Sequence, residues 1–193
     1  MGSEQNGAHR RPAPEECLNV YALVIYIPDP LGRFLDDLRR ELVPDSNPHA
    51  HVSVLPPRPL SVAWQTASDD ARGIIDKWQP FNVELTSIGI FPVTHVVYLE
   101  VGAGEPELRQ MYAAMNQTSL AFKEPFAYHP HVTVAQEIPQ AGVPDAHEIA
   151  WQRWRDYDGP RHFRAERAVF VQNTIDNRWI DLAAYSFGAV AVR

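Results

Sequence analysis

The chain has 193 residues, a length that suits one domain or two small lobes around a shared core rather than several independent domains. Its 24 acidic and 17 basic side chains give a formal net charge of −7, which disfavours an extended nucleic-acid surface because such surfaces are normally basic. No stretch approaches the roughly 18 continuous apolar residues of a membrane span. A local pocket for one or two phosphates is still compatible with this composition.

The start of the chain and its cysteine content bear on location. Residues 1–17 are mostly polar and contain no hydrophobic core of a secretory signal, so we expect a mobile tail there and a single domain over residues 18–193. Cys17 is the only cysteine, which excludes an intrachain disulfide and favours a reducing compartment. The sequence therefore predicts a cytoplasmic protein with no membrane partner, and a monomer.

The first half of the chain alternates strands and helices. The apolar, β-branched run at 21–27 predicts a buried strand, and the spacing of leucines over 31–42 predicts an amphipathic helix. A second strand is expected at 51–55, ended by Pro56 and Pro57, followed by a helix over 63–78.

The second half continues in the same way. We expect strands at 81–91 and 95–101, a helix over 105–116, a strand at 131–135 and a helix over 146–154. A terminal hairpin is predicted from 164–172 and 179–186, turned at Asp176 and Asn177.

This organisation contains a repeat. A strand, an amphipathic helix and a histidine-containing strand occur in that order over 21–55 and again over 96–135. The simplest arrangement is an α+β fold of two pseudo-symmetric lobes, each an antiparallel sheet with helices, around a central groove.

The repeat carries a duplicated histidine motif. His49-Ala50-His51-Val52-Ser53-Val54 and His129-Pro130-His131-Val132-Thr133-Val134 start 80 residues apart and agree at four of six positions. Because side chains alternate along a strand, each inner histidine shares a face with the hydroxyl two residues later, while the valines point into the core. Two such faces across a groove suit a phosphodiester: one imidazole activates water, the other protonates the leaving oxygen, and the hydroxyls hold the phosphate oxygens. Histidines do this near neutral pH without a metal or other cofactor.

On these two motifs and the duplicated unit, the chain resembles the two-histidine (2H) phosphoesterases, which include the 2′-5′ RNA ligase-like proteins and the 2′,3′-cyclic phosphodiesterases. The resemblance implies that His51 and His131 are catalytic, with His51 as the acid and His131 as the base. It also implies that Ser53 and Thr133 bind phosphate and that no metal is used. The expected substrate is a small cyclic phosphodiester, a nucleotide or an RNA terminus.

Several alternatives stay open at this point. Arg58 and Tyr128 are further candidates for substrate contact at the groove. His49 and His129 could join His51 and His131 in a four-histidine metal site of a metal-dependent hydrolase. The same pocket also suits a noncatalytic module that binds a nucleotide or an RNA end, and an RNA 2′-5′ ligase.

Overall fold

The computed structural model describes residues 12–46 and 48–188. The expected mobile tail over 1–17 falls largely outside this range, since residues 1–11 are not among the described residues. Pro14–Glu16 form one 3-10 turn, and the first strand begins at Cys17, one residue before the expected start of the domain. No helix in the described ranges is both long enough and apolar enough to cross a membrane.

Two four-stranded antiparallel sheets and four α-helices form the described part of the chain. The strands are β1 (Cys17–Tyr26), β2 (His51–Arg58), β3 (Phe81–Ile90), β4 (Val97–Val101), β5 (His131–Ala135), β6 (His162–Ala165), β7 (Arg167–Thr174) and β8 (Trp179–Ser186). The helices are α1 (Leu31–Leu42), α2 (Trp64–Ile75), α3 (Glu105–Met115) and α4 (Val143–Asp156). One sheet has the order β2-β1-β7-β8 and the other β5-β4-β3-β6, which confirms the predicted α+β fold of two similar antiparallel lobes.

The two copies of the repeat interlock. Each histidine motif lies on an edge strand, β2 beside β1 in one sheet and β5 beside β4 in the other. The helix of each copy packs on the motif strand of the other, α1 on β5 and α3 on β2, and the two motif strands also contact each other. This exchange brings the two motifs together in space.

One hydrophobic core runs through both lobes and holds this arrangement. Leu23 and Val52 from one sheet belong to the same buried cluster as Leu99 and Val132 from the other, together with Leu35 of α1. Burial of each such side chain stabilises the fold by about 1.5–3 kcal/mol relative to exposure. The two lobes are therefore joined by packing and not only by the chain.

Two expectations about the strands were wrong. β2 does not end before Pro56 but continues to Arg58, because it is an edge strand and a proline there costs no ladder hydrogen bond inside the sheet. The run 164–172 is not one strand of a hairpin: it divides at Glu166 into β6, which pairs with β3, and β7, which pairs with β1 and β8.

Candidate active site

Both motif strands line one cavity of about 410 Å³. Its wall includes the four side chains that the repeated motif singles out: His51, Ser53, His131 and Thr133. The size lies in the ordinary range for sites that bind small ligands.

Strand alternation explains why these four side chains reach the cavity. In β2, Val52 and Val54 are fully buried, and in β5 Val132 and Val134 have at most 2% of their surface exposed. The residues between them are half-buried and point to the opposite face. The core valines therefore fix the direction of each histidine and hydroxyl.

The two inner imidazoles are oriented in the same way. Nδ1 of His51 lies 2.7 Å from the carbonyl oxygen of His49, and Nδ1 of His131 lies 2.7 Å from the carbonyl oxygen of His129. Because a carbonyl oxygen only accepts, each Nδ1 must carry a hydrogen and donate it. Each Nε2 is thus left as the nitrogen that can exchange a proton with a ligand.

Both imidazoles favour the neutral form in the free protein. Burial lowers the pKa of His51 to about 4, and the charges of Arg39, His49 and His131 act in the same direction. Burial also lowers the pKa of His131 below its usual 6.5, while Glu100 acts to raise it. The two sites are therefore electrostatically unequal, with a cation acting on one histidine and a carboxylate on the other.

The outer histidines of the motifs have different partners. The ring of His49 stacks on Tyr26 with centroids 3.5 Å apart, and Nε2 of His129 lies 2.8 Å from Oε2 of Glu100. Among the described residues, no group of three or more His, Cys, Asp or Glu side chains is arranged to hold a metal ion. The four-histidine metal site therefore has no support from the side-chain geometry.

Two aromatic rings, Phe91 and Tyr98, contact the imidazole of His131. Phe91 and Tyr98 stack with centroids 3.9 Å apart, and the imidazole of His131 meets the Phe91 ring edge-on at 4.9 Å. The Tyr98 hydroxyl donates to Oε1 of Glu100 at 3.0 Å. These contacts restrict the rotation of the imidazole that the strand already directs.

Tyr128 lies at the cavity, as the sequence predicts. Its hydroxyl donates a hydrogen bond to the backbone carbonyl oxygen of Ser53 at 2.8 Å. Tyr128 therefore binds the backbone of Ser53, a residue that itself lines the cavity.

Arg58 does not lie at the cavity, and its predicted role in substrate contact is wrong. Only 2% of its surface is exposed, and its guanidinium forms an ion pair with Glu124 inside the protein. It also donates to the Asn116 side chain and to the carbonyl oxygen of Leu120, each at 2.8 Å. The strand that was expected to end at Leu55 continues to residue 58 and carries this side chain inward.

Comparison with known proteins assigns this chain to a family. The family model of the 2′-5′ RNA ligase superfamily matches residues 27–177, a span that contains both histidine motifs. The chain belongs to this superfamily. The resemblance to 2H phosphoesterases read from the two motifs is thereby confirmed.

The similar proteins described next share 15–32% of their residues with this chain over the aligned regions. A Bacillus cytotoxicus protein named provisionally as a phosphoesterase is 32% identical over 78 residues, which is 40% of this chain and 45% of that protein. One from Bacillus licheniformis, named in the same way, is 25% identical over 61% of this chain and 71% of its own length. E. coli LigT complexed with 3′-AMP is 15% identical and superposes with a TM-score of 0.63 over 88% of this chain and 98% of LigT. This last likeness shows a common fold.

The cavity is also lined by residues that the sequence did not indicate. Arg39 of α1, Gln136 after β5 and Trp179 at the start of β8 also line the cavity. Arg39 is next to buried Leu38 on an amphipathic helix, and helical periodicity alone does not tell which strand that helix faces. In the structure α1 packs on β5, and Arg39 lines the cavity.

Proposed function

We propose that this protein is a metal-independent phosphodiesterase that hydrolyses a 2′,3′-cyclic phosphate, or a related small cyclic phosphodiester, on a nucleotide or RNA end. The observation that carries this proposal is the matched pair His51 and His131. Both line one cavity, both are anchored through Nδ1, and both keep Nε2 for proton transfer. A phosphoesterase of this superfamily needs one base and one acid, and the pair supplies both.

The proposed reaction needs only a substrate, water and these two imidazoles. Nε2 of His131 takes a proton from water as the water oxygen bonds to phosphorus. The bond from phosphorus to one ribose oxygen breaks, and that oxygen receives a proton from Nε2 of His51. The products are a phosphomonoester and a free hydroxyl, and the histidines return to their starting forms by exchanging protons with solvent.

The rest of the cavity suits the remaining parts of a nucleotide. The hydroxyls of Ser53 and Thr133 are donors for the non-bridging phosphate oxygens, whose charge rises as water attacks. Ala22, Val24 and Val171 provide an apolar floor for a sugar or base. Structures of E. coli LigT with 3′-AMP, ATP and phosphate support this choice of ligand class.

His51 can act as the acid only when the substrate is bound, because the bound phosphate raises its pKa. With a pKa near 4 in the free protein, His51 is neutral at pH 7 and has no proton to give. A bound phosphate anion stabilises the imidazolium by direct attraction and thus raises that pKa. We therefore expect His51 to take up its proton as the substrate binds.

We also propose a location and an oligomeric state, a cytoplasmic monomer. Both motif strands come from one chain, so a monomer contains a whole site. The single cysteine, Cys17, is unpaired and suits the reducing cytoplasm, which is the compartment that we propose.

The test is hydrolysis of 2′,3′-cyclic nucleotides in the presence of EDTA. We expect turnover by the unaltered protein and a loss of roughly 10²- to 10⁴-fold in kcat for His51→Ala and for His131→Ala. His162→Ala is the matched control, since His162 is exposed on β6 and does not line the cavity. Equal turnover by all four proteins would refute the mechanism.

Two other results would redirect the proposal. Binding of 3′-AMP without turnover of any cyclic phosphodiester would identify a noncatalytic nucleotide-binding module. Joining of RNA ends through a 2′-5′ bond, lost in the same two histidine variants, would identify a ligase that uses this site.

A further inference from the structure

The cavity wall holds one permanent charge. Arg39, on the third turn of α1, lines the cavity together with both motif histidines. No Asp, Glu or Lys is among the lining residues, and Gln136, which also lies there, is neutral. Any fixed positive charge that a ligand meets on the wall formed by the described residues therefore comes from Arg39.

Among the described residues, the guanidinium of Arg39 forms no hydrogen bond and no ion pair. Its Nε is buried and has no hydrogen-bond partner among residues 12–46 and 48–188. Asp36 and Glu137 are near enough to act on its charge without bonding to it. Asp36 is engaged elsewhere, because its Oδ1 accepts from the backbone N–H of Ala50 at 2.7 Å.

An unpartnered, partly buried guanidinium is costly unless something binds it. Leaving one charged donor without a partner costs more than leaving a neutral one, and the cost disappears when an anion supplies the acceptor. A planar fork of N–H donors matches the oxygens of a phosphate group and can bind two of them at once. The residue and its surroundings thus fit an anionic oxygen ligand that enters the cavity.

We propose that Arg39 binds the anionic oxygens of the same phosphate on which His51 and His131 act. This inference rests on the proposed function and adds a substrate-binding residue to it. Arg39 belongs to α1, the helix of the first repeat, which packs on β5, the motif strand of the second, and it lines the cavity beside both motif strands.

Binding at Arg39 also has a consequence for His51. The groups that act on this imidazole are Arg39, His49 and His131, and Tyr26 meets its ring edge-on at 6.4 Å. The positive charge of Arg39 lowers the pKa of His51. A phosphate bound between them offsets that charge, so occupation of Arg39 and proton uptake by His51 favour each other.

The experiment measures phosphate binding directly, so that it does not depend on turnover. Titration calorimetry with inorganic phosphate should give a Kd about 10- to 100-fold weaker for Arg39→Gln than for the unaltered protein, since a charge-assisted hydrogen bond is lost. Arg39→Lys should lie between the two, because it keeps the charge and loses the fork. Arg40→Gln is the matched control: Arg40 is the next residue on α1, is exposed, and pairs with Asp37. It should bind phosphate like the unaltered protein.

A second readout separates an anion site from a structural role. In the ligand-free protein, the NMR titration of His51 should shift to a higher pKa in Arg39→Gln and stay in place in Arg40→Gln. Unchanged phosphate affinity in Arg39→Gln would overturn the inference, and so would an unaltered protein that binds no phosphate.

Turnover assays distinguish this inference from the proposed function. Hydrolysis of cyclic nucleotides with the same KM in Arg39→Gln would refute the role of Arg39 and leave the proposed function standing. Arg39-dependent phosphate binding without any hydrolysis would do the reverse. A KM increase found only for substrates with an added 5′-phosphate would assign Arg39 to a second phosphate and overturn the inference as stated.

Discussion

The hydroxyl of Tyr128 donates a hydrogen bond to the backbone carbonyl oxygen of Ser53 across 2.8 Å. This bond joins the segment just before the second histidine motif to the strand that carries the first. The Tyr128 ring also stacks on Tyr112 of α3 with centroids 4.1 Å apart, and α3 packs on β2. Tyr128 therefore fixes the position of one motif relative to the other.

We expect Tyr128→Phe to lower the free energy of unfolding by about 1 kcal/mol, because a part-buried carbonyl oxygen loses its donor. Misplacement of the two histidines should lower kcat more than it raises KM. Urea unfolding and steady-state kinetics measure both effects. Tyr157→Phe is the control, since the buried Tyr157 hydroxyl has no partner among the described residues and its removal should cost no stability. A raised KM with unchanged stability would show instead that Tyr128 contacts the substrate.

Arg58 gives a second prediction, about stability rather than binding. Only 1% of its side chain and 11% of that of Glu124 are exposed, so removal of one partner leaves a buried charge without compensation. We expect Arg58→Met to lower the free energy of unfolding by about 3 kcal/mol, while kcat and KM of the folded protein stay unchanged.

The double variant Arg58→Met/Glu124→Leu tests the cause of that loss. Replacing both charges by apolar groups should recover most of the stability, because no unpaired charge remains in the interior. A double variant no more stable than Arg58→Met would contradict this account. A large rise in KM in either protein would restore the original idea that Arg58 contacts the substrate.

The sequence predicted the positions of the motif residues correctly and that of Arg58 wrongly, and the reason lies in the strand that carries them. Alternation of polar and apolar residues in β2 and β5 was enough to place His51 and Thr133 on cavity-facing sides, because the valines beside them can only be core. Beyond Leu55 the pairing of β2 with β1 shifts register, between the pairs Leu23–Leu55 and Tyr21–Arg58. Alternation cannot anticipate such a shift, and it decided where Arg58 points.

The other features that the sequence did not predict depend on long-range packing. The ion-pair partner of Arg58 is 66 residues away, and Arg39 lines the cavity on a helix, α1, that packs on the motif strand of the other repeat. The division of 164–172 into β6 and β7 likewise depends on which sheet each half joins. The order of strands and helices is local and could be predicted, whereas these contacts depend on tertiary structure.

The pKa shifts of the two histidines predict the pH dependence of kcat/KM, which reports groups of the free protein. One imidazole must be neutral and the other protonated, so the profile is a bell between their two pKa values. Burial lowers the pKa of both imidazoles from the usual 6.5. The pKa of His51 falls to about 4, and that of His131 also lies below 6.5. We therefore expect the maximum below pH 6.5 and a decline as the pH rises further. Assays with EDTA across about pH 4–9 measure this, and a maximum on the alkaline side of pH 7 would contradict it.

The assignment of acid and base can be tested with a leaving group that needs no proton. A p-nitrophenyl phosphodiester releases a stable anion, so the acid contributes little to its hydrolysis while the base is still required. If His51 is the acid, His51→Ala should lose roughly 10²- to 10⁴-fold on a 2′,3′-cyclic nucleotide but about tenfold or less on the p-nitrophenyl ester. His131→Ala should lose activity on both, and His162→Ala on neither. Arg39 acts against a proton on His51 and Glu100 favours one on His131, so the opposite pattern is a defined outcome that would exchange the two roles.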